Sequence, residues 1–224
     1  MDKFGYKTYL IILGGKKMET TEVIYNFDEV IDRSGTNCLK YDLKAQFMPS
    51  SPEDALPLWV ADMDFACAPE IINAMHKRID RKIFGYSSQQ TDDYYEAVCG
   101  WFKRRFDWKI EKENIFFSPG VVPALGFFTQ ILTKKGDGII IEKPVYYPFE
   151  AKITNNERKV VNSPLKFEDG HYSMDYDGFE ELAKDENNKV FILCSPHNPV
   201  GRVWKKEELR KIVDICKKYD LWII

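Results

Sequence analysis

Three short segments of the chain carry residue types that do chemistry when a fold presents them in loops. The first, Ser118-Pro119-Gly120-Val121-Val122-Pro123-Ala124-Leu125, joins an apolar run to an amphipathic one. Free N–H groups at a helix start attract anions, so the start of the helix that follows suits a phosphate. The segment has neither the lysine of a P-loop nor G-x-G-x-x-G spacing, and taken alone it reads as a structural turn. The second is Pro144-Val145-Tyr146-Tyr147-Pro148-Phe149. A tyrosine at a strand's end suits stacking on a flat aromatic ring, with packing in an aromatic core cluster as the plain alternative. The third is Cys194-Ser195-Pro196-His197-Asn198-Pro199-Val200-Gly201. Asparagine before proline is a common turn signal, and it also presents an amide able to donate to a phenolic oxygen.

The elements that must position these loops follow from hydrophobic periodicity. Ile115–Ser118, Gly138–Glu142, Lys159–Asn162, Val190–Cys194 and Leu221–Ile224 read as strands. Between them, the stretch through Ala124, Phe127, Phe128 and Ile131, then Tyr147–Ile153, Asp175–Ala183 and Lys205–Tyr219 read as helices. Strands alternating with helices predict an α/β fold, a mostly parallel sheet with helices on both faces. In such sheets ligands bind in loops at the carboxyl ends of strands, where all three segments lie. Upstream, Pro69 opens a helix with Ile71, Ile72, Met75 and Ile79 on one face, ending by Gly85. Thr91-Asp92-Asp93 starts another.

Composition narrows the function classes. The 224 residues are 44% hydrophobic and 30% charged, ordinary for a globular chain. A net charge of −3, from 32 basic and 35 acidic residues, gives no electrostatic reason to expect nucleic acid or an anionic membrane as partner. Five scattered cysteines without a C-x-x-C pair argue for a reducing, cytoplasmic setting and against a disulfide framework. His76, His171 and His197 have no metal-ligand spacing, so no metal site is expected. No apolar stretch reaches the ~20 residues of a membrane span. Gly14-Gly15-Lys16-Lys17-Met18 is what a ribosome-binding site and start codon give when translated in frame. Residues 1–17 are therefore read as translated leader, 18–65 as an N-terminal segment and 66–224 as the large domain.

Taken together and in order, the P-x-Y loop and the later H-N-P-x-G motif resemble the cofactor site of the pyridoxal-phosphate (PLP) enzymes of fold type I, the aminotransferase class I/II superfamily. Asp32-Arg33-Ser34-Gly35-Thr36, Lys40-Tyr41-Asp42, Leu58-Trp59-Val60-Ala61-Asp62-Met63-Asp64-Phe65 and Phe84-Gly85-Tyr86-Ser87 are similar to its cystathionine β-lyase branch, which includes a maltose-regulon modulator. The resemblance runs from about Val23 to Ile224 and covers about the front half of a typical member. It implies PLP as cofactor, its phosphate cradled by amides near Val121 and Val122. Tyr146 would stack on the pyridine ring, and Asn198 would bond the ring's 3-oxygen. Tyr86 would reach the phosphate of a neighbouring subunit, so a homodimer is implied. The Ala61-Asp62 backbone would lie near the substrate carboxylate. Arg33, Lys40 and Asp64 receive no role and are read as structural turns.

The family's aspartate on the pyridine nitrogen, its Schiff-base lysine and its carboxylate-binding arginine have no counterpart in these residues. Trp222-Ile223-Ile224 reads as a buried strand with nothing after it, so the expectation is a large domain truncated before its last strands and small domain. The implied activity of the whole protein is C–S β-elimination from cystathionine or another cysteine S-conjugate, giving pyruvate, ammonia and a thiol. The 224 residues alone are expected to lack turnover and to dissolve poorly, because an unfinished sheet leaves apolar surface uncovered. An aminotransferase on the same scaffold and a non-catalytic remnant are the competing readings. A nicotinamide dehydrogenase is disfavoured because its glycine fingerprint is absent.

Overall fold

The computed structural model describes residues 6–13, 16–23 and 25–224, and the chain divides into two compact units, Met1–Thr91 and Asp92–Ile224. In the first unit β1 (Tyr6–Leu13) pairs antiparallel with β2 (Lys16–Val23), Tyr6 opposite Val23 and Leu13 opposite Lys16. The leader reading of residues 1–17 falls partly on residues 1–5, 14 and 15, outside the described residues. After a short turn of helix, α1 (Lys44–Phe47), comes α2 (Pro69–Ile79). Proline at its first position has no N–H to leave unpaired, and His76, Lys77 and Arg78 complement the dipole in its last turn. The helix stops six residues before Gly85: the Asp80 N–H makes the last helical bond, to the His76 carbonyl, and Lys82 turns the chain at φ +59. Its apolar face, Ile71, Ile72, Met75 and Ile79, is exposed.

The second unit begins with α3 (Asp92–Phe106), whose acidic first turn and basic last turn fit the helix dipole. A 3₁₀ turn at Lys112–Asn114 leads to α4 (Val121–Leu132). There follow β3 (Gly138–Ile141), α5 (Pro148–Thr154), β4 (Lys159–Asn162), the hairpin β5 (Lys166–Glu168) and β6 (His171–Ser173), and α6 (Tyr176–Ala183). The chain then runs through β7 (Asn188–Phe191), α7 (Lys206–Lys218) and β8 (Trp222–Ile223). The sheet order is β4-β3-β7-β8, and every pairing in it is parallel.

Alternation along the strands divides the core into two layers. Ile139, Ile141, Val190 and Ile192 pack with Leu125 of α4 and with Phe149 and Ile153 of α5. Ile140 and Phe191 pack on the other face with Phe179 and Ala183 of α6 and with Ile212 and Cys216 of α7. Helices thus cover both faces, which is why β3 is isoleucine throughout after its glycine. Each such side chain, fully buried, contributes ~1.5–3 kcal/mol. The helix α7 is framed by its own ends: Glu208 accepts from the Lys205 N–H at 2.7 Å, and Lys217 and Lys218 lie in the last turn.

Ile115–Ser118 is not a strand: the segment is extended but has no ladder neighbour, and Phe116 and Phe117 are exposed. Strand propensity needs a partner for its N–H and C=O groups, and none of the described residues supplies one.

Candidate active site

The strand order reverses beside β3. β4 lies on one side of it and β7, arriving later in the chain, on the other. A crevice therefore opens at the carboxyl ends of β3 and β7, the switch point at which such sheets bind ligands. The loops bordering it are the ones carrying Tyr146 and Asn198. They are bonded to each other: His197 Nε2 lies 3.0 Å from the Pro144 carbonyl oxygen, so in the tautomer that donates there Nε2 carries the proton. Three cis peptide bonds, Lys143–Pro144, Ser195–Pro196 and Asn198–Pro199, lie in this pair of loops.

Each loop is braced from within. The His197 N–H donates to the Arg202 carbonyl and the Gly201 N–H to the His197 carbonyl, both at 2.8 Å. Trp204 Nε1 donates to the Cys194 carbonyl at 2.9 Å, and the Asn198 N–H donates to Cys194 Sγ at 3.4 Å. The Asn198 carboxamide is exposed and has no hydrogen-bond partner among the described residues. Tyr146 is half-buried, set edge-on to Phe149 with centroids 6.0 Å apart, and packs with Val145 and Cys194 against the α4–α5 layer. A groove of about 170 Å³ lined by Pro144, Val145, Tyr146, Tyr147 and Glu150 opens beside it.

The third segment joins the same layer through Leu125, one helical turn after Val121 and Val122. Gly120 precedes them at φ +151, a conformation that side-chain-bearing residues avoid. Pro123 has no N–H, and Ala124 already donates to the Gly120 carbonyl. The amides free at this helix start are therefore those of Val121 and Val122, a donor pair that fits a phosphate. Tyr146 and Asn198 thus lie in loops tied together at the carboxyl ends of β3 and β7, and Val121 and Val122 open the helix that packs on one face of the same sheet. Ala61, Asp62 and Tyr86 lie in the first unit, all three exposed.

That first unit holds a feature that reading the motifs as turns missed. Arg33 Nη1 bonds Asp64 Oδ1 at 2.5 Å, and its Nη2 pairs with Asp62. Lys40 Nζ, although only 6% of the residue is exposed, reaches Asp64 Oδ2 at 2.6 Å and the Asp62 carbonyl at 3.1 Å. Lys40 and Arg33 hold the Asp64 carboxyl down to about 2. The Asp32–Thr36, Lys40–Asp42 and Leu58–Phe65 motifs are thus one ion-paired cluster that fixes the Ala61-Asp62 backbone. The two basic residues lie 22 or more positions before the two acidic ones, so no local pattern marked the cluster.

Sequence reasoning also passed over Glu142, the residue that follows β3. It is 1% exposed, and burial pushes its carboxyl up to about 8. Burial also holds the His197 ring below its usual range, against the opposing pull of the Pro144 and Glu142 carbonyls. The signal was a glutamate ending an otherwise apolar strand.

The second unit is an α/β domain, a parallel sheet with helices on both faces, in which the loops carrying Tyr146 and Asn198 are tied together at the carboxyl ends of β3 and β7. The chain belongs to the aminotransferase class I and II family, whose model matches residues 53–224. Cystathionine beta-lyase PatB of Bacillus subtilis is 41% identical over 201 residues, 89% of this chain and 51% of that protein. Protein MalY of Escherichia coli is 31% identical, with 90% and 51% covered. Among solved structures, cystalysin of Treponema denticola, which contains pyridoxal 5'-phosphate, matches with a TM-score of 0.83 and 45% identity over 90% of this chain and 51% of that one. The architecture is that of the fold type I large domain, and the chain spans about half the length of these relatives.

Proposed function

We propose that this chain is the cofactor-positioning part of a PLP-dependent C–S β-lyase acting on cystathionine or another cysteine S-conjugate. The observation that carries the reading is the bonded pair of loops at the β3/β7 switch point, with Tyr146 and Asn198 on a scaffold shared with a cystathionine β-lyase. When bound, PLP supplies an electron sink for charge that develops at the substrate's α-carbon.

The residues present hold and orient. Free N–H groups of Val121 and Val122 meet the phosphate at the start of α4, where the helix dipole favours negative charge. Tyr146 covers one face of the ring and excludes water from it. The Asn198 carboxamide donates to the ring's 3-oxygen, fixing the ring's rotation. Tyr86 serves the phosphate site of a neighbouring copy, which makes the active unit a homodimer. The backbone at Ala61-Asp62, held by Arg33 and Lys40, faces the substrate carboxylate. The proton-transferring Schiff-base lysine, the ring-nitrogen aspartate and the carboxylate arginine have no counterpart in these residues, so the 224-residue chain by itself is read as non-catalytic.

The test is release of pyruvate from cystathionine, with PLP supplied and no keto acid, by the whole protein of which this chain is read as the cofactor-positioning part. Turnover is the expected result, and turnover only upon adding a keto acid would make the protein a transaminase instead. Tyr146→Ala and Asn198→Ala are each expected to weaken PLP binding about tenfold, the loss of one stacking or hydrogen-bonding contact of ~1.4 kcal/mol. Equilibrium dialysis reads this directly, and unchanged binding in both variants would count against the assigned site.

A further inference from the structure

Behind the crevice, four polar side-chain atoms are buried without a hydrogen-bond partner among the described residues: both carboxyl oxygens of Glu142, Ser163 Oγ and His197 Nδ1. Their residues are each 1% exposed. An orphaned buried polar atom costs ~1–3 kcal/mol, so such a group of them calls for a common partner.

The sheet places them together. Ile141 pairs with Asn162, and the Ser163 N–H continues the ladder by donating to the Ile141 carbonyl at 2.9 Å, so Glu142 and Ser163 lie side by side on neighbouring strands. Alternation puts Glu142 on the face of Ile140 and Ser163 on the face of Val161, which is the same face, packed under α6 and α7. His197 reaches that layer by lying edge-on to Trp204 with centroids 5.5 Å apart. The groups facing Glu142 there are the Tyr176 hydroxyl from α6 and the Cys216 thiol from α7, both pushed up by burial first and by Glu142 further down. Arg202 stands at the margin, its charge matched by Glu208 at 2.6 Å. Lys211 of α7 sets its Nζ 5.1 Å from the Tyr176 ring centroid, but among the described residues no cation forms an ion pair with Glu142, and Tyr176 and Cys216 are weaker acids than it is.

We propose that the Glu142 carboxyl in its acid form, the Ser163 hydroxyl and His197 Nδ1 are joined by enclosed water into one hydrogen-bonded network. Through it His197 acts as a positioning residue that sets the spacing of the two switch-point loops. Buried waters form about three hydrogen bonds each to polar groups of this kind. With Nε2–H committed to the Pro144 carbonyl, Nδ1 is left an acceptor, and the acid form of Glu142 supplies the proton that the network needs. An ionised Glu142 would supply none, would reverse the direction of the bonds, and would draw a proton onto Nδ1. The chain of contacts then runs from the end of β3 through His197 to the carbonyl two residues before Tyr146. The consequence for the cofactor loops rests on the PLP reading; the network itself does not.

Histidine ¹⁵N NMR of the 224-residue chain tests this without cofactor or turnover, since the chain holds three histidines. His197 is expected to be the neutral Nε2–H tautomer at neutral pH. Its ring signals and the Val145 and Tyr146 amides should then shift together with a midpoint of about 8. Glu142→Gln, which keeps the shape and a donor but cannot ionise, should abolish that midpoint. In the unmodified chain, infrared spectra should show a protonated-carboxyl band at about pH 6 that is lost by about pH 9. Ring signals flat across that range, a midpoint retained in Glu142→Gln, or absence of the carboxyl band would each overturn the network. Failure of PLP to bind while these signals behave as described would overturn only the cofactor reading.

Discussion

Glu142 follows directly on β3, a strand of glycine and isoleucine, and burial keeps its carboxyl protonated up to about 8 in the folded chain, against 4.5 when solvated. The sign of the linkage follows. Below about 4.5 the group is protonated in both states and has no effect on stability. Between 4.5 and about 8 the unfolded chain ionises and the folded chain resists, so stability falls as pH rises and levels off above. Glu142→Gln is therefore expected to match the parent near pH 4 and exceed it by a few kcal/mol near about pH 8, each unit of separation being ~1.4 kcal/mol. Urea midpoints at the two pH values read this, and an equal shift at both would contradict it. His197 limits the other side: its ring is held below 6.5, so protonation on acidification also disfavours the fold. Residue identity alone did not reveal either group, because a buried glutamate and a surface one look alike in sequence.

Among the elements, those with strong periodicity were legible and those that depend on distant partners were not. Lys159–Asn162 is a strand as expected, and α7 lies within the predicted Lys205–Tyr219, because an amphipathic helix with its own end signals defines itself locally. The strand expected at Ile115–Ser118 fails for want of a partner, which propensity cannot supply. The β5–β6 hairpin was missed although Asp169-Gly170 marked it: both residues take positive φ, as a tight hairpin turn requires. That the segments holding Tyr146 and Asn198 follow the carboxyl ends of strands was foreseeable from alternating strands and helices, whereas the ion cluster of Arg33, Lys40, Asp62 and Asp64 depends on a return of the chain that no local pattern encodes. Two isoleucines separate packing from exposure. Ile212 of α7 is fully buried and Ile131 of α4 is 75% exposed. Ile212→Ala is expected to cost ~2–5 kcal/mol and Ile131→Ala under ~0.5 kcal/mol. Chemical denaturation of the two variants measures the contrast, and equal losses would refute the layer assignment.

At the scale of the molecule, apolar surface outruns what the two core layers cover. Phe116, Phe117, Phe127, Phe128, Ile131 and Trp222 are exposed in the second unit, and the apolar face of α2 is exposed in the first. Such surface favours association. The chain is expected to bind a hydrophobic dye such as ANS and to associate with rising concentration; a dye-silent monomer in sedimentation would contradict this. The bond between His197 and Pro144 spans 53 residues. A chain leaving the ribosome therefore presents Tyr146 well before it presents the loop that completes the crevice. Until β7 docks beside β3, that side of β3 is an open edge, and any strand of the right pattern can compete for it. The half of the site that folds first is thus also the segment most exposed to mispairing during synthesis, and the rate at which β7 arrives sets how long that hazard lasts.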